Sequence, residues 1–499
     1  MRGNVKSGAN EGAVVGKESV LNQRILTLRV CMLVLLAALL VVPIALMNHD
    51  PEAVSEIDNR RLQTLPVFEL ETELNNDEIT SFFSAVSGYA SDRIGLRNEM
   101  IGAYSILNDE LFGVMTHPSY EYGIDGWVFY RFSDEGYEEG YIAAFADYVL
   151  EMQTYCEDRG VKFLYVISPE KSRVYSEYIP EYVSDLPHSV DLLIPLLEER
   201  GINYVDQGIA LIEAKEKGTL VFNKVYDAGH WNTEGMYAGS QAVVDALQEA
   251  GVSVSDIDIS AYEKVYEEQT SLPASNYPIS ETTYKYEIMD DATNAAQQND
   301  EFNSGLVMGD IYRTAHYYTS EQEAECSVLM FQGSYYNTQG TMLQNQFSTL
   351  ATVHDYGNVF NLPYYFGIYR PDVVIFENAD YTFSNSYYSY DDLISTSLPE
   401  RLSCYSDWIT INCNLPFSFK QEGDASIASF YFSWPDEVEG IDCSYVVADG
   451  VVYEATGEDG GQYLWGAQRN GLDNLNDVTV VGVDLDAGVK YQGTCSIVS

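Results

Sequence analysis

The stretch "SVLMFQGSYYN", residues 327–337, carries an apolar run straight into a small polar turn. Ser327 to Phe331 reads as a strand buried on both faces, and Gly333 and Ser334 follow at once. In an open parallel sheet the working groups gather beyond the carboxyl ends of the strands. A hydroxyl on a tight strand-to-helix turn at that edge is exposed and available. Ser334 is therefore the candidate nucleophile, and the backbone N–H of Tyr335 is the group positioned to face a developing oxyanion.

The surrounding chain supplies the sheet. "VKFLYVIS" (161–168), "INYVD" (202–206), "ATVHDY" (351–356) and "DVVIFE" (372–377) read as strands. Between them lie amphipathic helices: "YIAAFADYVLEMQTYCEDRG", ended by Gly160, then "SVDLLIPLLEERG", "QGIALIEAKEKG" and "TEGMYAGSQAVVDALQEAG". Strand alternating with helix predicts a parallel α/β sheet. "LVFNKVY" (220–226) reads as extended, "NVFNLPYYFGIY" as a helix, and a further helix is expected near 338–348. "YGIDGWVFY" (122–130) reads as a tight turn and a short strand. Residues 252–305 are polar and acidic and read as an excursion with a few strands. Beyond 400 the chain breaks into short strands and turns, as expected of an all-β, sandwich-like module.

Charge and hydropathy locate the chain. The net charge is −50, which excludes nucleic acid as a partner because its phosphates would be repelled. Yet Arg2, Lys6, Lys17, Arg24 and Arg29 crowd the first thirty residues. They precede "VCMLVLLAALLVVPIALM" (30–47), an uncharged run that, extended back to Ile25, is long enough to cross a membrane. Basic residues on its amino side keep the N-terminus cytoplasmic and send the bulk outside. "ALMNHDPEA" is a poor cleavage site, so an uncleaved anchor is expected. Cys404, Cys413, Cys443 and Cys495 gather in the last hundred residues, where one or two disulfides would suit an oxidising compartment. No C-x-x-C pair exists, and no metal or cofactor is expected. Tyr reaches 40 residues, and such an excess suits either sugar-binding clefts or exposed sheet faces.

The general base comes from "VYDAGHWNTEGM" (225–236). A serine hydroxyl is a weak nucleophile until a base takes its proton, and that base needs a carboxylate on its other nitrogen. His230, in a turn before a helix, is the candidate base, and Asp227 the nearest carboxylate. His354, which ends a strand, is the fallback base.

"YDAGHWNTEG" resembles the namesake motif of the DHHW family, related to the SGNH-hydrolase-like alginate O-acetylation proteins. The likeness extends through "IDNRRLQTLPVFEL", "FSAVSGYASDRIGLRNEMI", "GIDGWVFY", "ISPEKSRVYSEYIP" and "FQGSYYN" to "YRPDVVIFENAD", covering about 55–390 in the family's order. It implies an SGNH-hydrolase-like parallel sheet flanked by helices, outside the membrane. It also implies a Ser-His-Asp site that moves or removes O-acetyl groups on cell-surface polysaccharide, supplied by a membrane-bound acetyl-delivering partner. Ser334, His230 and Asp227 would be catalytic; Lys171, Tyr175, Trp231 and Tyr335 would meet substrate.

Two departures stand out. The family's Asp lies two positions before the His, where this chain has Ala228, and in an extended segment the extra step would turn Asp227 to the opposite face. Gly229 would allow a kink that brings it back. The Gly-Asp-Ser block is Gln332-Gly333-Ser334 here, and a separate "MGDIY" (308–312) has Ile311 where the serine would stand. The alternative function is thus a catalytically degenerate glycan-binding or assembly protein. Apart from the resemblance, Lys171 and Arg173 read as ion-paired cations, Trp231 as core packing, and Glu377 and Asp380 as solvated acids. The expected division is a cytoplasmic tail (1–24), a transmembrane anchor (25–47), a linker and helical arm (48–115), the α/β domain (116–395) and the β module (400–499).

Overall fold

The computed structural model describes residues 11–50, 53–55, 60–66, 76–115, 117, 119–131, 140–181, 183, 188–273, 277–289, 296–310, 312–320, 326–337, 340–413, 420–422, 426–435, 437–458, 461–469, 472 and 478–495. By its contacts the chain forms two units: Met1–Glu121 with Gln269–Ser280, and Tyr122–Glu268 with Glu281–Ser499.

The first unit is helical. Glu11–Ala45 is one helix. Its stretch Gln23–Ala45, 23 residues of mean hydropathy 2.8, is long and apolar enough to cross a membrane. Asn76–Arg93 and Arg97–Phe112 follow. Arg93 is buried and donates from its guanidinium to the carbonyls of Asp50, Leu62 and Gln63. The segment expected as a linker is therefore tied to helix Asn76–Arg93 by an arginine whose three nitrogens each donate to backbone.

The second unit contains a seven-stranded sheet. Its strands are β1 (Lys162–Ser168), β2 (Tyr204–Asp206), β3 (Gln297–Gln298), β4 (Ala315–Thr319), β5 (Ser327–Gln332), β6 (Thr349–His354) and β7 (Val373–Ala379). The order is β2-β1-β7-β5-β6-β4-β3. The first five run parallel, as the sequence predicts. β3, from the end of the excursion, and β4, just beyond it, are antiparallel additions at one edge.

Period-two alternation explains why the central strands read as unbroken apolar runs. Phe163, Tyr165, Ile167, Leu329, Phe331, Val374 and Phe376 pack into one core on one face. Leu164, Val166, Val328, Met330, Val373 and Ile375 pack into another on the opposite face. Helices Tyr141–Asp158 and Ser189–Arg200 cover the first face, and Thr233–Glu249 the second.

Two local expectations change. Residues 220–226 form bends rather than a strand, and Gly340–Gln346 is a 3-10 helix. The polar excursion forms a long hairpin, Tyr262–Ser271 with Pro278–Ile288.

Past residue 400 the chain is an eight-stranded sheet folded on itself, in which strand Val451–Glu458 pairs with Cys443–Ala448 at one end and Gln462–Gln468 at the other. Phe430, Val446, Tyr453, Trp465 and Val480 meet between the two halves, giving the sandwich-like core. This module is fastened to the α/β sheet's helices. Arg159 pairs with Glu454, Tyr364 shares a 2.6 Å hydrogen bond with Ser429, and Gln468 donates to the Ile368 carbonyl. The expected disulfides are not formed: Cys404, Cys413 and Cys443 are free thiols, and the Cys495 side chain lies outside the described residues.

Candidate active site

Five parallel strands deliver their carboxyl ends to one rim. β5 ends at Gln332, and Ser334 opens a 3-10 turn, Ser334–Tyr336, immediately after Gly333. His230 reaches the same rim from the turn that precedes helix Thr233–Glu249. Asn232 caps that helix by accepting from the N–H groups of Glu234 and Gly235. Trp231 is buried against the helix, and the positions a Cβ would occupy on Gly235 and Gly239 lie 2.7 and 2.5 Å from Trp231 atoms. Two glycines one helical turn apart thus make the seat of the indole and set the direction of the neighbouring imidazole.

The three expected side chains form one hydrogen-bonded chain. His230 Nε2 lies 2.9 Å from Ser334 Oγ, and Nδ1 lies 3.0 Å from both Asp227 carboxylate oxygens. With a carboxylate at Nδ1, the proton sits on Nδ1, and Nε2 is free to accept from the serine. The extra residue in the motif is absorbed in the backbone. Asp227 adopts φ 53, the left-handed region, and its Oδ1 accepts from the N–H groups of Gly229 and His230, each at 3.1 Å. The extended-chain argument against Asp227 therefore does not apply: the carboxylate curls over its own turn. Gly229 is required by close approach, since a Cβ there would lie 2.3 Å from the Tyr130 ring.

Electrostatics follow from this pairing. Burial alone would lower the His230 pKa, but the Asp227 charge and hydrogen bond outweigh it and raise it above 6.5. Burial alone would raise Asp227, but His230 and the turn's N–H groups hold it below the ordinary carboxylate value.

The site contains groups that the sequence did not single out. Tyr381, just after β7, places its hydroxyl 2.9 Å from Ser334 Oγ. When the serine donates to His230, Tyr381 must donate to the serine. Glu281, on the hairpin, accepts from the N–H groups of Lys224, Val225 and Tyr226 at 2.9, 3.0 and 2.5 Å. It holds the loop leading into Asp227. Nothing local marks either residue, because each acts on a segment about fifty positions away.

Glu377 and Asp380 are corrected from solvated acids to buried ones. Glu377 Oε2 accepts from the Gly333 N–H at 2.8 Å, directly beneath the nucleophile turn. Its Oε1 lies 2.5 Å from Ser168 Oγ, which also lies 2.8 Å from Gln207 Oε1. The Gln207 amide nitrogen is occupied with the Gly239 carbonyl and the Tyr336 hydroxyl, so its oxygen is an acceptor. One serine proton cannot serve two acceptors. The network closes only if Glu377 is protonated on Oε1 and donates to Ser168, which then donates to Gln207. Burial, followed by the neighbouring Asp355, pushes Glu377 up to about 8, consistent with that count.

The residues expected at substrate lie deeper than the reactive groups. Lys171 is 2% exposed and donates to the carbonyls of Val128 and Lys224; burial pulls its ammonium down to about 7. Tyr175 is buried on Trp127, with its hydroxyl accepting from the Val221 N–H. Tyr335 is buried, donates to the Pro169 carbonyl and packs edge-on against His230 and Trp231. All three, with Trp231, support the site from behind, because their polar ends are turned inward to backbone or their rings fill core. Arg173 follows its ion-pair reading, bonded to Asp206 at 2.7 and 2.5 Å. His354 is buried and bonded at 2.7 Å to Asp310, the acid of the stray "MGDIY". Among the described residues no three His, Cys, Asp or Glu side chains gather as metal ligands.

The fold is that of an SGNH hydrolase-like domain. More narrowly, residues 121–298 match the family described as SGNH hydrolase-like domain, acetyltransferase AlgX. The matched range holds Asp227 and His230 and ends before Ser334. Solved structures similar to this chain include Bacillus cereus PatB1, 15% identical over 54% of this chain and 97% of its own, with a TM-score of 0.42. A DHHW family protein from Eubacterium siraeum is 14% identical, covering 57% and 98%, with a TM-score of 0.40. The O-acetyltransferase domain of Pseudomonas putida AlgJ is 15% identical, covering 57% and 95%, with a TM-score of 0.35. No curated protein matches the chain.

Proposed function

We propose that the chain is a membrane-anchored O-acetyltransferase or O-acetylesterase of cell-envelope polysaccharide. Residues 25–47 are its anchor and 1–24 its cytoplasmic tail. The arm 48–115, the domain 116–395 and the module 400–499 lie outside the membrane. The observation that carries the reading is the continuous Asp227–His230–Ser334 chain at the carboxyl rim of the sheet.

In this reading His230 Nε2 takes the Ser334 proton as Oγ bonds to the acetyl carbonyl carbon. The tetrahedral oxygen receives the Tyr335 N–H, and Tyr381 supports the serine oxygen. As the adduct collapses, the donor's C–O bond breaks and His230 returns the proton to the departing alcohol. A sugar hydroxyl, or water, then attacks acetyl-Ser334 and gives its proton to His230. Collapse releases the acetylated sugar, or acetate, and Ser334 Oγ recovers a proton. Asp227 stabilises the imidazolium throughout without becoming protonated.

The degenerate-scaffold alternative rests on the shifted carboxylate and on the Gln332-Gly333-Ser334 block, and the Nδ1 contact at 3.0 Å supports the catalytic reading on the first of these. The test uses the full-length chain in detergent with p-nitrophenyl acetate. Turnover that falls to background in Ser334→Ala and His230→Ala, with an acetyl group trapped on Ser334, supports the reading. Equal background rates in all three chains would reject it.

A further inference from the structure

Five tyrosines lead away from Ser334 in an unbroken row. Tyr381, in hydrogen-bond contact with the serine, has its ring centroid 5.6 Å from Tyr130 and 6.3 Å from Tyr387. Tyr387 lies 5.0 Å from Tyr356, which lies 5.5 Å from Tyr312. Tyr130, Tyr381, Tyr387 and Tyr356 are half-buried, and Tyr312 is 39% exposed. They come from five separate segments: the strand Val128–Tyr130, the turn after β7, the bend near 387, the turn after β6, and the loop before β4. Tyr356 and Tyr387 lean on the core of one face of the sheet and Tyr381 on that of the other, yet all five keep accessible surface while Tyr388 beside them is buried.

Part-exposed phenols offer flat apolar faces with a hydroxyl at the rim, the chemistry that suits stacked sugar rings. Acids surround the row. Asp227 and Glu170 act on Tyr130, Glu170 on Tyr387, Asp355 on Tyr356 and Asp310 on Tyr312, each after burial as the larger influence on the phenol. The cations beside it in sequence are Arg131 and Arg313, one at each end, both exposed. Lys171 is withdrawn beneath the site. A polyanionic chain would lie in the field of these carboxylates, of which Asp227 and Glu170 keep part of their side-chain surface, on a protein of net charge −50.

We propose that this tyrosine row is the acceptor site, and that it takes an uncharged glycan oligomer rather than a polyuronate. The proposal rests on the acetyl-transfer reading for its purpose, but binding can be measured without it. Several stacking faces in sequence favour an oligomer over a single sugar, and the sugar seated at Tyr381, second in the row after Tyr130, brings one hydroxyl to acetyl-Ser334.

The experiment uses the full-length Ser334→Ala chain in detergent, so that no acyl chemistry intervenes. Binding is titrated calorimetrically with hexamers of glucose, N-acetylglucosamine and galacturonic acid. One neutral hexamer is expected to bind at least tenfold more tightly than the acidic one. Tyr312→Ala and Tyr387→Ala should each weaken that binding about tenfold, or about 1.4 kcal/mol, while Tyr312→Phe and Tyr387→Phe retain it. Preference for galacturonate, loss of its binding in an Arg131→Ala/Arg313→Ala chain, or no binding of either neutral hexamer overturns the proposal. So does neutral binding that is indifferent to the alanine variants. Acetyl-ester turnover by the wild-type chain is measured separately. If it is absent while neutral binding holds, the enzymatic reading fails and the row stands; if it is present without neutral binding, the row alone fails.

Discussion

Replacing Asp227 by asparagine tests the proposed chemistry at one atom. The carboxylate makes two kinds of bond: Oδ1 accepts from two N–H groups of its own turn, and both oxygens face His230 Nδ1. Asparagine keeps an oxygen for the turn and presents an NH2 group where Oδ2 was. The imidazole then accepts at Nδ1 and carries its proton on Nε2, pointing at Ser334, where it cannot take the serine proton. The same substitution in a serine-protease triad costs about ten-thousandfold in kcat, or about 5.5 kcal/mol on the barrier. A similar loss is expected here on p-nitrophenyl acetate. The fold should persist, because the turn bonds remain; loss of one charge-assisted bond costs about 1–3 kcal/mol. Thermal melting and kcat are therefore read on the same samples. Residues acting as a unit are non-additive, so Asp227→Asn combined with His230→Ala should be no slower than His230→Ala alone. Retention of more than a tenth of wild-type turnover by Asp227→Asn would refute the reasoning, as would strict additivity in the double variant.

The remaining expectations concern protons and support. His230 must be neutral to act, and Asp227 raises it; kcat/KM should fall with decreasing pH at a midpoint above the 6.5 of an ordinary imidazole. Glu377 is protonated up to about 8, and its ionisation would put negative charge beneath the oxyanion, so a decline above that pH is expected. Glu377→Gln can donate to Ser168 and accept from Gly333, and should keep activity while removing the alkaline decline. The folded value lies above the ordinary 4.5, so this group's stabilising contribution is full below 4.5 and is lost as pH rises towards 8. Melting temperature should accordingly fall over that window more in the wild type than in Glu377→Gln. Glu281→Ala strips the acceptor from three N–H groups before Asp227 and should lower kcat about tenfold by loosening the turn. Gly229→Ala sets a methyl 2.3 Å from the Tyr130 ring and should cost about 1–3 kcal/mol by overpacking, read by melting.

Much of this molecule is written in local pattern. Apolar runs at 162–168, 327–332 and 373–379 could only be strands covered on both sides, because each face needs its own core. The uncharged helix after a basic segment, and a serine and a histidine at opposite entries to one rim, were legible from composition and spacing. Long-range contacts decided the rest. The Asp227 question turned on one backbone dihedral, and sequence spacing does not encode whether a turn takes the left-handed region. The resemblance put Lys171, Tyr175, Trp231 and Tyr335 at substrate, but side-chain type says nothing of direction; all four are buried, Trp231 as the core packing that its own position suggested. Glu377 and Asp380 looked solvated because a strand's end is usually wet, but both are buried, and Glu377 is held between Ser168 at the end of β1 and Gly333 just past β5. Tyr381, Glu281 and the row of five phenols come from segments far apart in the chain. Only folding brings their groups within a few ångströms, where hydrogen bonding and charge begin to matter.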